Sequence, residues 1–222
     1  MRSIAFAALA LATGCGSDAN TIRTSVLWMD WPSQVVASSA FSVRLVVARP
    51  CALIQSFNPD PRADQSAVTF APYFVADPGG AVCVLAQSVD VDLNNLDTTG
   101  LAPGLASDFA RTYEMRGAVR SGGVWSANHW VDRTFGDVGV YSQTPPPSAP
   151  IRNAGGWVQK QVDTSGCVRI RPAGLYGAGA LMVLEDQADT AGLSGAFVRG
   201  YLHYPAAPVC GEAQVFHLVT RE

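Results

Sequence analysis

Hydrophobic and polar residues alternate with a period of two along most of the chain, and no long segment has the period of a helix. Neighbouring side chains of a strand point to opposite faces, so this pattern predicts strands with one buried face. In the first part of the chain the predicted strands are at 25–31, 41–49, 67–76, 81–93, 111–120, 124–131 and 135–142. In the last third they are at 157–163, 167–172, 180–186, 197–204 and 213–220. The predicted fold class is therefore all-β.

A proline-rich segment divides these strands into two groups. The sequence TPPPSAP at 144–150 cannot donate ladder hydrogen bonds at its prolines and favours an extended, semi-rigid conformation. Residues 144–150 are therefore predicted to link an N-terminal domain at 25–143 to a C-terminal domain at 151–222.

The N-terminal group resembles a known class of module. Seven strands at this spacing favour a two-sheet sandwich. The stretch from Trp31-Pro32 through Phe41, Cys83 and the LAPG sequence at 101–104 resembles the immunoglobulin-like (Ig-like) modules of bacterial surface lipoproteins. The resemblance implies an Ig-like β-sandwich over 25–143.

The C-terminal group resembles a second module. Its five strands have a turn, DTAGLSG, between the third and the fourth. The order MVLED, LSG, VRGYLH and VFHLV is similar to OB-like modules of exported bacterial proteins. The resemblance implies a small five-stranded Greek-key barrel over 151–222.

The N-terminus has the pattern of an export signal. Residues 4–12, IAFAALALA, follow Arg2 and are too few to span a bilayer, which takes about 20 residues. The sequence Ala12-Thr13-Gly14-Cys15 resembles the lipobox of bacterial lipoproteins. That resemblance implies that residues 1–14 are removed, that the Cys15 thiol is diacylated, and that 15–24 form a tether. An ordinary cleavage after ALA at 10–12 would instead give a secreted form.

The lipobox resemblance also implies a location. Several acyl chains give stable anchoring, whereas one chain is marginal. Gly16 stands directly after Cys15, where an aspartate would resemble an inner-membrane retention signal. We therefore expect a lipid-anchored protein of the bacterial cell envelope, at the outer membrane if the organism has one.

Five cysteines leave an odd thiol, which lipidation of Cys15 explains. The other four are expected to form disulfides in an oxidising compartment, and three connectivities are open. Sequence proximity favours Cys51 with Cys83 and Cys167 with Cys210. No pair of cysteines has the short spacing of zinc ligands, so no metal site is predicted from them.

Charge and composition narrow the class of partner. Hydrophobic residues make up 48% of the chain and charged residues 15%, so the chain can bury cores and is not disordered. A net charge of −3 gives no general attraction to nucleic acid. We expect no nucleic-acid partner and no cofactor.

No segment has the pattern of a catalytic site. His129, His203 and His217 lie in strand patterns outside any recognised motif, and His203 is predicted on a solvated face. The GLSGA sequence at 192–196 nearly matches a nucleophile elbow, but a strand follows it where a helix is needed. The acidic run that begins at Asp90 starts like a calcium loop but lacks its glycine and its glutamate. We therefore predict no catalytic residue and no calcium site.

One surface of the predicted barrel is a candidate for ligand binding. Its residues combine cationic and aromatic side chains, which suit sugar stacking or an anionic polymer. They are Arg169, Arg171, Trp157, Tyr176 and Tyr201. The expected function is non-catalytic binding or assembly in the envelope, with an envelope protein or a glycan as the partner. The alternative is an envelope hydrolase or a carbohydrate-binding enzyme accessory.

Overall fold

The computed structural model describes residues 21–49, 54–58, 61–76, 87–96, 98, 100–105, 109–120, 130–144, 151–173, 179–188 and 190–222. All regular secondary structure in these ranges is β-strand, which confirms the all-β prediction. None of the described ranges contains a helix with the length and apolar character needed to cross a bilayer. Residues 1–20, with the predicted signal, Cys15 and most of the tether, lie outside the described ranges, as do Cys51 and Cys83.

The described strands form three sheets. The smallest has the order β1 (Thr21–Arg23), β8 (Tyr73–Ala76), β5 (Ile54–Asn58). The second has the order β3 (Gln34–Val36), β11 (Trp130–Tyr141), β10 (Arg111–Arg120), β7 (Ala67–Phe70), β6 (Pro61–Ala63). The largest has the order β13 (Val168–Pro172), β14 (Met182–Leu184), β16 (Val215–Arg221), β15 (Phe197–His203), β12 (Arg152–Val162), β2 (Val26–Pro32), β4 (Phe41–Arg49), β9 (Gln87–Leu96).

Strands β12 to β16 close into a five-stranded barrel. β13 pairs antiparallel with β12 and β14, β14 pairs parallel with β16, and β15 pairs antiparallel with β16 and β12. This order is that of the OB-fold, so the OB-like barrel is confirmed. The interior is filled by buried apolar side chains, among them Ile170, Leu184, Leu193, Val198 and Phe216.

The remaining strands of the largest sheet pack as a second layer against the sheet that contains β3, β6, β7, β10 and β11. β2, β4 and β9 supply one side of this core and β7, β10 and β11 the other. β7 pairs parallel with β10, and β3 parallel with β11. Sandwiches of the immunoglobulin type consist of antiparallel sheets. The two-layer arrangement is therefore present, while the Ig-like assignment of 25–143 stays a prediction.

Two strand predictions need correction. The strand predicted at 67–76 is two strands, β7 and β8, which lie in different sheets. They separate at Ala71-Pro72, because proline has no N–H to donate to a ladder. The strands predicted at 124–131 and 135–142 were expected to be separate, but β11 runs unbroken from Trp130 to Tyr141.

The largest sheet joins the two predicted domains. β12 follows the predicted linker, yet it pairs antiparallel with β2, which precedes it. Successive side chains of β2 are buried in different hydrophobic cores. Trp28 lies in the barrel core, and Met29 lies in the sandwich core. The predicted domain bounds divide the sequence, but hydrogen bonds of one sheet connect the two parts. The end of the predicted tether also lies in a sheet, because Thr21–Arg23 form β1.

Gly156 allows this close approach of β12 to β2. Its φ is +146°, which side-chain-bearing residues rarely adopt. A Cβ atom at this position would lie 2.2 Å from the carbonyl oxygen of Leu27. The glycine is therefore required both by the backbone conformation and by the space between the strands.

Candidate functional site

The structure divides the predicted ligand residues among different environments. Arg169 and Arg171 are both half-buried on β13. Trp157 packs edge-on against Phe197, with ring centroids 4.7 Å apart, next to the sandwich core. Tyr201 lies on β15 against His217, and Tyr176 lies outside the described residues. Among the described residues, no cation–π contact joins Arg169 or Arg171 to Trp157 or Tyr201, and the ligand face formed by these residues stays a prediction.

Arg169 instead connects two loops of the barrel. Its Nε donates to Asp163 Oδ2 at 3.0 Å, and its Nη1 donates to Glu212 Oε1 at 3.1 Å. Asp163 lies in the loop between β12 and β13, and Glu212 in the loop between β15 and β16. The disulfide between Cys167 and Cys210 joins the same two loops, as the sequence analysis predicts for this pair. We call residues 163–167 and 204–214 the barrel rim.

The rim also orders the Asp163 carboxylate. Hydrogen bonds from the Ser165 hydroxyl and the Arg169 guanidinium, with backbone N–H groups of Cys167 and Ser165, hold the pKa of Asp163 at about 2. Its carboxylate in turn raises the pKa of Arg169. In OB-folds the corresponding loops contact the ligand. The rim is therefore a preorganised surface whose charges compensate one another.

A second group of side chains meets on the outer face of the barrel. Glu185 follows β14, His203 ends β15 and His217 lies in β16; we call these three residues the histidine cluster. The His217 Nδ1 lies 2.5 Å from Glu185 Oε2, and the His203 Nε2 lies 3.0 Å from the same oxygen. Burial raises the pKa of Glu185, but the hydrogen bonds from His217 and His203 outweigh burial and bring it below its usual value.

Tyr201 orients the rings of the histidine cluster. Its ring stacks on His217, with centroids 4.7 Å apart and planes 18° apart. It meets His203 edge-on, with centroids 5.4 Å apart. Each histidine ring thus packs against Tyr201 and has one nitrogen hydrogen-bonded to the Glu185 carboxylate.

Sequence reasoning missed this cluster. Taken singly, each histidine fits a solvated strand face, and Glu185 fits the end of a strand. The signal that brings them together is the parallel pairing of β14 with β16, which places Leu184 beside Phe216 and so Glu185 beside His217. That pairing follows from the OB-like strand order, so the OB-like resemblance could have indicated it.

A cleft of about 330 Å³ lies where the barrel meets β2 and β4. Two of its lining residues, Asp30 and Arg152, form an ion pair with Oδ1 and Nη2 2.7 Å apart. Burial raises the pKa of Asp30, and the attraction of Arg152 opposes this. The pair links β2 to β12, so it stabilises the junction between the barrel and the sandwich.

The two segments that resemble a calcium loop and a nucleophile elbow are held by structural contacts. Asp90 pairs with Arg44 at 2.9 Å and accepts a hydrogen bond from the Gly179 backbone N–H at 2.9 Å. In the GLSGA sequence, Leu193 is buried in the barrel core, and the Ser194 hydroxyl accepts from the Lys160 backbone N–H. His129 lies outside the described residues.

Comparison of the chain with protein-family models, with curated proteins and with solved structures gives no match.

Proposed function

We propose that this protein is a lipid-anchored cell-envelope protein with a non-catalytic binding role, and that the barrel rim is its binding surface. The anchor would be the acylated Cys15. The partner would be a glycan of the envelope, contacted through the two loops that OB-folds use for oligosaccharides.

The observation that carries this proposal is the link between the two rim loops by Cys167 and Cys210. Disulfides persist mainly in oxidising compartments, so the bond favours export and agrees with the signal-like N-terminus. A loop held in one conformation also loses less entropy on binding, so a cross-linked rim favours recognition.

The charges of the rim favour a neutral ligand over an anionic polymer. Arg169 is already paired with two carboxylates, Asp163 and Glu212. Tyr204, at the start of the second loop, is 64% exposed, and Val162, just before the first loop, is 58% exposed. An exposed tyrosine in a loop of the rim suits a sugar, since an aromatic ring packs against the apolar face of a pyranose.

Localisation is tested with the full chain and its Cys15→Ser variant in a bacterial host. We expect the wild type to fractionate with membranes and its intact mass to show loss of residues 1–14 and added acyl chains. We expect the variant to leave the membrane fraction. An unacylated wild type would overturn the anchor.

Binding is tested separately by sedimentation with purified cell-wall sacculi. We expect Tyr204→Ala to reduce the sedimented fraction at least about fivefold, because it removes the exposed ring of the rim. Phe109→Ala is the matched control, since Phe109 is 67% exposed but lies in a loop of the sandwich. Equal loss in both variants, or no sedimentation of the wild type, would overturn the glycan proposal.

A second candidate is an envelope hydrolase, and the histidine cluster is the observation that favours it. Two imidazoles share the Glu185 carboxylate, and such groups can move protons near neutral pH. An assay with para-nitrophenyl acetate distinguishes the candidates. A non-catalytic protein gives the same rate for wild type and Glu185→Gln, whereas an enzyme that uses the cluster loses activity in the variant.

A further inference from the structure

The histidine cluster has the composition and spacing of a metal-binding site. Its candidate ligand atoms, one from each of Glu185, His203 and His217, all lie within 4.8 Å of one another. We propose that these three residues bind one divalent transition-metal ion of the zinc, copper and nickel group. This site is distinct from the barrel rim and does not depend on the lipid anchor.

The strand ladder fixes the three ligands relative to one another. The Glu185 backbone N–H donates to the Phe216 carbonyl oxygen at 2.9 Å, which holds the carboxylate beside His217. His203 pairs with Val215, two residues before His217 in β16. Residues two apart on a strand share a face, so the two imidazoles are diagonal neighbours. Ligands on paired strands are held more firmly than ligands on loops.

The distances fit one ion after small side-chain rotations. Two ligand atoms on a tetrahedral ion, each about 2.1 Å from it, are about 3.4 Å apart. Both histidine nitrogens are already within that distance of the carboxylate oxygen, at 2.5 and 3.0 Å. The two nitrogen–oxygen distances therefore have to lengthen by roughly 0.4 to 0.9 Å to reach that value. The two nitrogens lie within 4.8 Å of one another, so small rotations of the partly exposed side chains are sufficient.

Metal binding requires two protons of the histidine cluster to move. Without an ion, His203 Nε2 and His217 Nδ1 each donate an N–H to the Glu185 carboxylate. When an ion binds, each nitrogen presents its lone pair, and its proton moves to the other ring nitrogen or to solvent. The carboxylate, which accepted both hydrogen bonds, becomes the anionic ligand.

Tyr201 is a positioning residue for this site. It contacts both rings, with centroids 4.7 Å from His217 and 5.4 Å from His203. Groups that orient the ligands of a metal site strengthen binding because less side-chain freedom is lost. A phenyl ring at this position would preserve the stacking.

The ligand set and its exposure select the kind of ion. Two imidazoles and one carboxylate suit zinc, copper and nickel, whereas calcium and magnesium prefer oxygen ligands alone. The side chains of His203, Glu185 and His217 are 20%, 30% and 42% exposed, so solvent reaches the site. Three protein ligands on a tetrahedral ion leave one position for water or for a ligand atom from a partner.

The experiment uses the full chain in detergent, purified without a polyhistidine tag. Zn²⁺ is titrated in by calorimetry, and Mg²⁺ is titrated separately. We expect one Zn²⁺ per chain and no saturable binding of Mg²⁺. In a parallel sample, Cu²⁺ bound to the protein should give an electron paramagnetic resonance spectrum with coupling to two nitrogens.

Variants connect the binding to the three residues. We expect Glu185→Gln and His217→Gln each to weaken Zn²⁺ binding at least about tenfold, since even loss of an outer-shell partner commonly has that effect. The Cu²⁺ spectrum of His217→Gln should show one nitrogen. Tyr201→Phe should bind like the wild type. Glu114→Gln is the matched control, because Glu114 is a half-exposed, ion-paired carboxylate on the sandwich.

The outcomes are distinguishable. Far-UV circular dichroism of each variant shows whether a loss of affinity reflects unfolding, and the two-nitrogen spectrum of the wild type does not depend on any variant. Absence of saturable Zn²⁺ binding by the folded wild type would mean a hydrogen-bonded cluster only and would overturn the proposal. Equal weakening in Glu114→Gln, or a Cu²⁺ spectrum unchanged in His217→Gln, would overturn it as well.

Discussion

Trp28 of β2 packs against Phe216 of β16, with ring centroids 5.7 Å apart. The two residues come from opposite ends of the chain, and both are almost fully buried. The next residue of β2, Met29, is buried in the sandwich core. One strand therefore contributes to two hydrophobic cores, and this couples the stability of the barrel to that of the sandwich.

Trp28→Ala tests the contribution of β2 to the barrel core. Removing the ring leaves a cavity in the barrel core, and we expect a loss of about 3–5 kcal/mol in the free energy of unfolding. Guanidinium unfolding followed by far-UV circular dichroism measures it. Trp130→Ala is the control, since Trp130 is half-exposed, and a much smaller loss is expected there. Similar losses in both variants would contradict the central role of Trp28.

Gly156→Ala tests the approach of β12 to β2. The added Cβ would lie 2.2 Å from a backbone oxygen at a φ of +146°, so β12 has to shift. We expect a destabilisation of several kcal/mol or failure to fold, above the roughly 1–3 kcal/mol that backbone strain alone costs.

Gly192→Ala is the matched control for that variant. Gly192 also has a positive φ, +67°, but a Cβ there would meet no atom within 4 Å. Thermal unfolding of both variants separates backbone strain from steric conflict. A Gly192→Ala variant as unstable as Gly156→Ala would show that the contact with Leu27 does not matter.

Replacing both Cys167 and Cys210 by serine tests the contribution of the rim disulfide. Their sequence separation is 43, for which the chain-entropy model gives a loss of roughly 4 kcal/mol. We expect a lower melting temperature with retained far-UV circular dichroism at low temperature. An unchanged melting temperature would mean that Arg169 and its two carboxylates are sufficient to hold the loops.

The pH dependence of stability tests the environment of Asp163. Its pKa is about 2 in the folded chain and near 3.8 when unperturbed, so the unfolded state binds the proton more readily as the pH falls. The stabilisation by this carboxylate is complete above about pH 5 and is lost as the pH falls through 3.8 towards 2. Asp163→Asn should therefore lower the melting temperature at pH 7.

The difference between Asp163→Asn and the wild type should shrink as the pH approaches 2, because the wild-type carboxylate becomes protonated as well. Melting temperatures of both proteins between pH 2 and pH 7 provide the measurement. A difference that stays constant over this range would contradict the assigned role of the Asp163 charge.

Much of the fold follows from the sequence because strand periodicity is a local property. The predicted strand at 41–49 coincides with β4, and the OB-like order of the last five strands is confirmed. The pairing of β2 with β12 could not be predicted, since it depends on contacts between residues far apart in the chain. The break at Pro72 was readable from the missing N–H, but the alternation on both sides of it suggested one strand.

The candidate site was less predictable than the fold. Arg169 was selected for its charge, but two carboxylates from distant loops neutralise that charge. His203 and His217 acquire chemical significance only when Glu185 lies between them, and this depends on the parallel register of β14 and β16. Individual residue types were visible in the sequence, whereas their partners depended on the closure of the barrel.

The pairing of β2 with β12 also bears on how the protein is made. β2 leaves the ribosome early, and the strand that covers one of its edges is synthesised only in the last third of the chain. Until then an apolar strand with an open edge is a template for pairing with other chains. We expect a chain truncated before residue 151 to aggregate more readily than the whole chain, because one edge of β2 then has no partner strand.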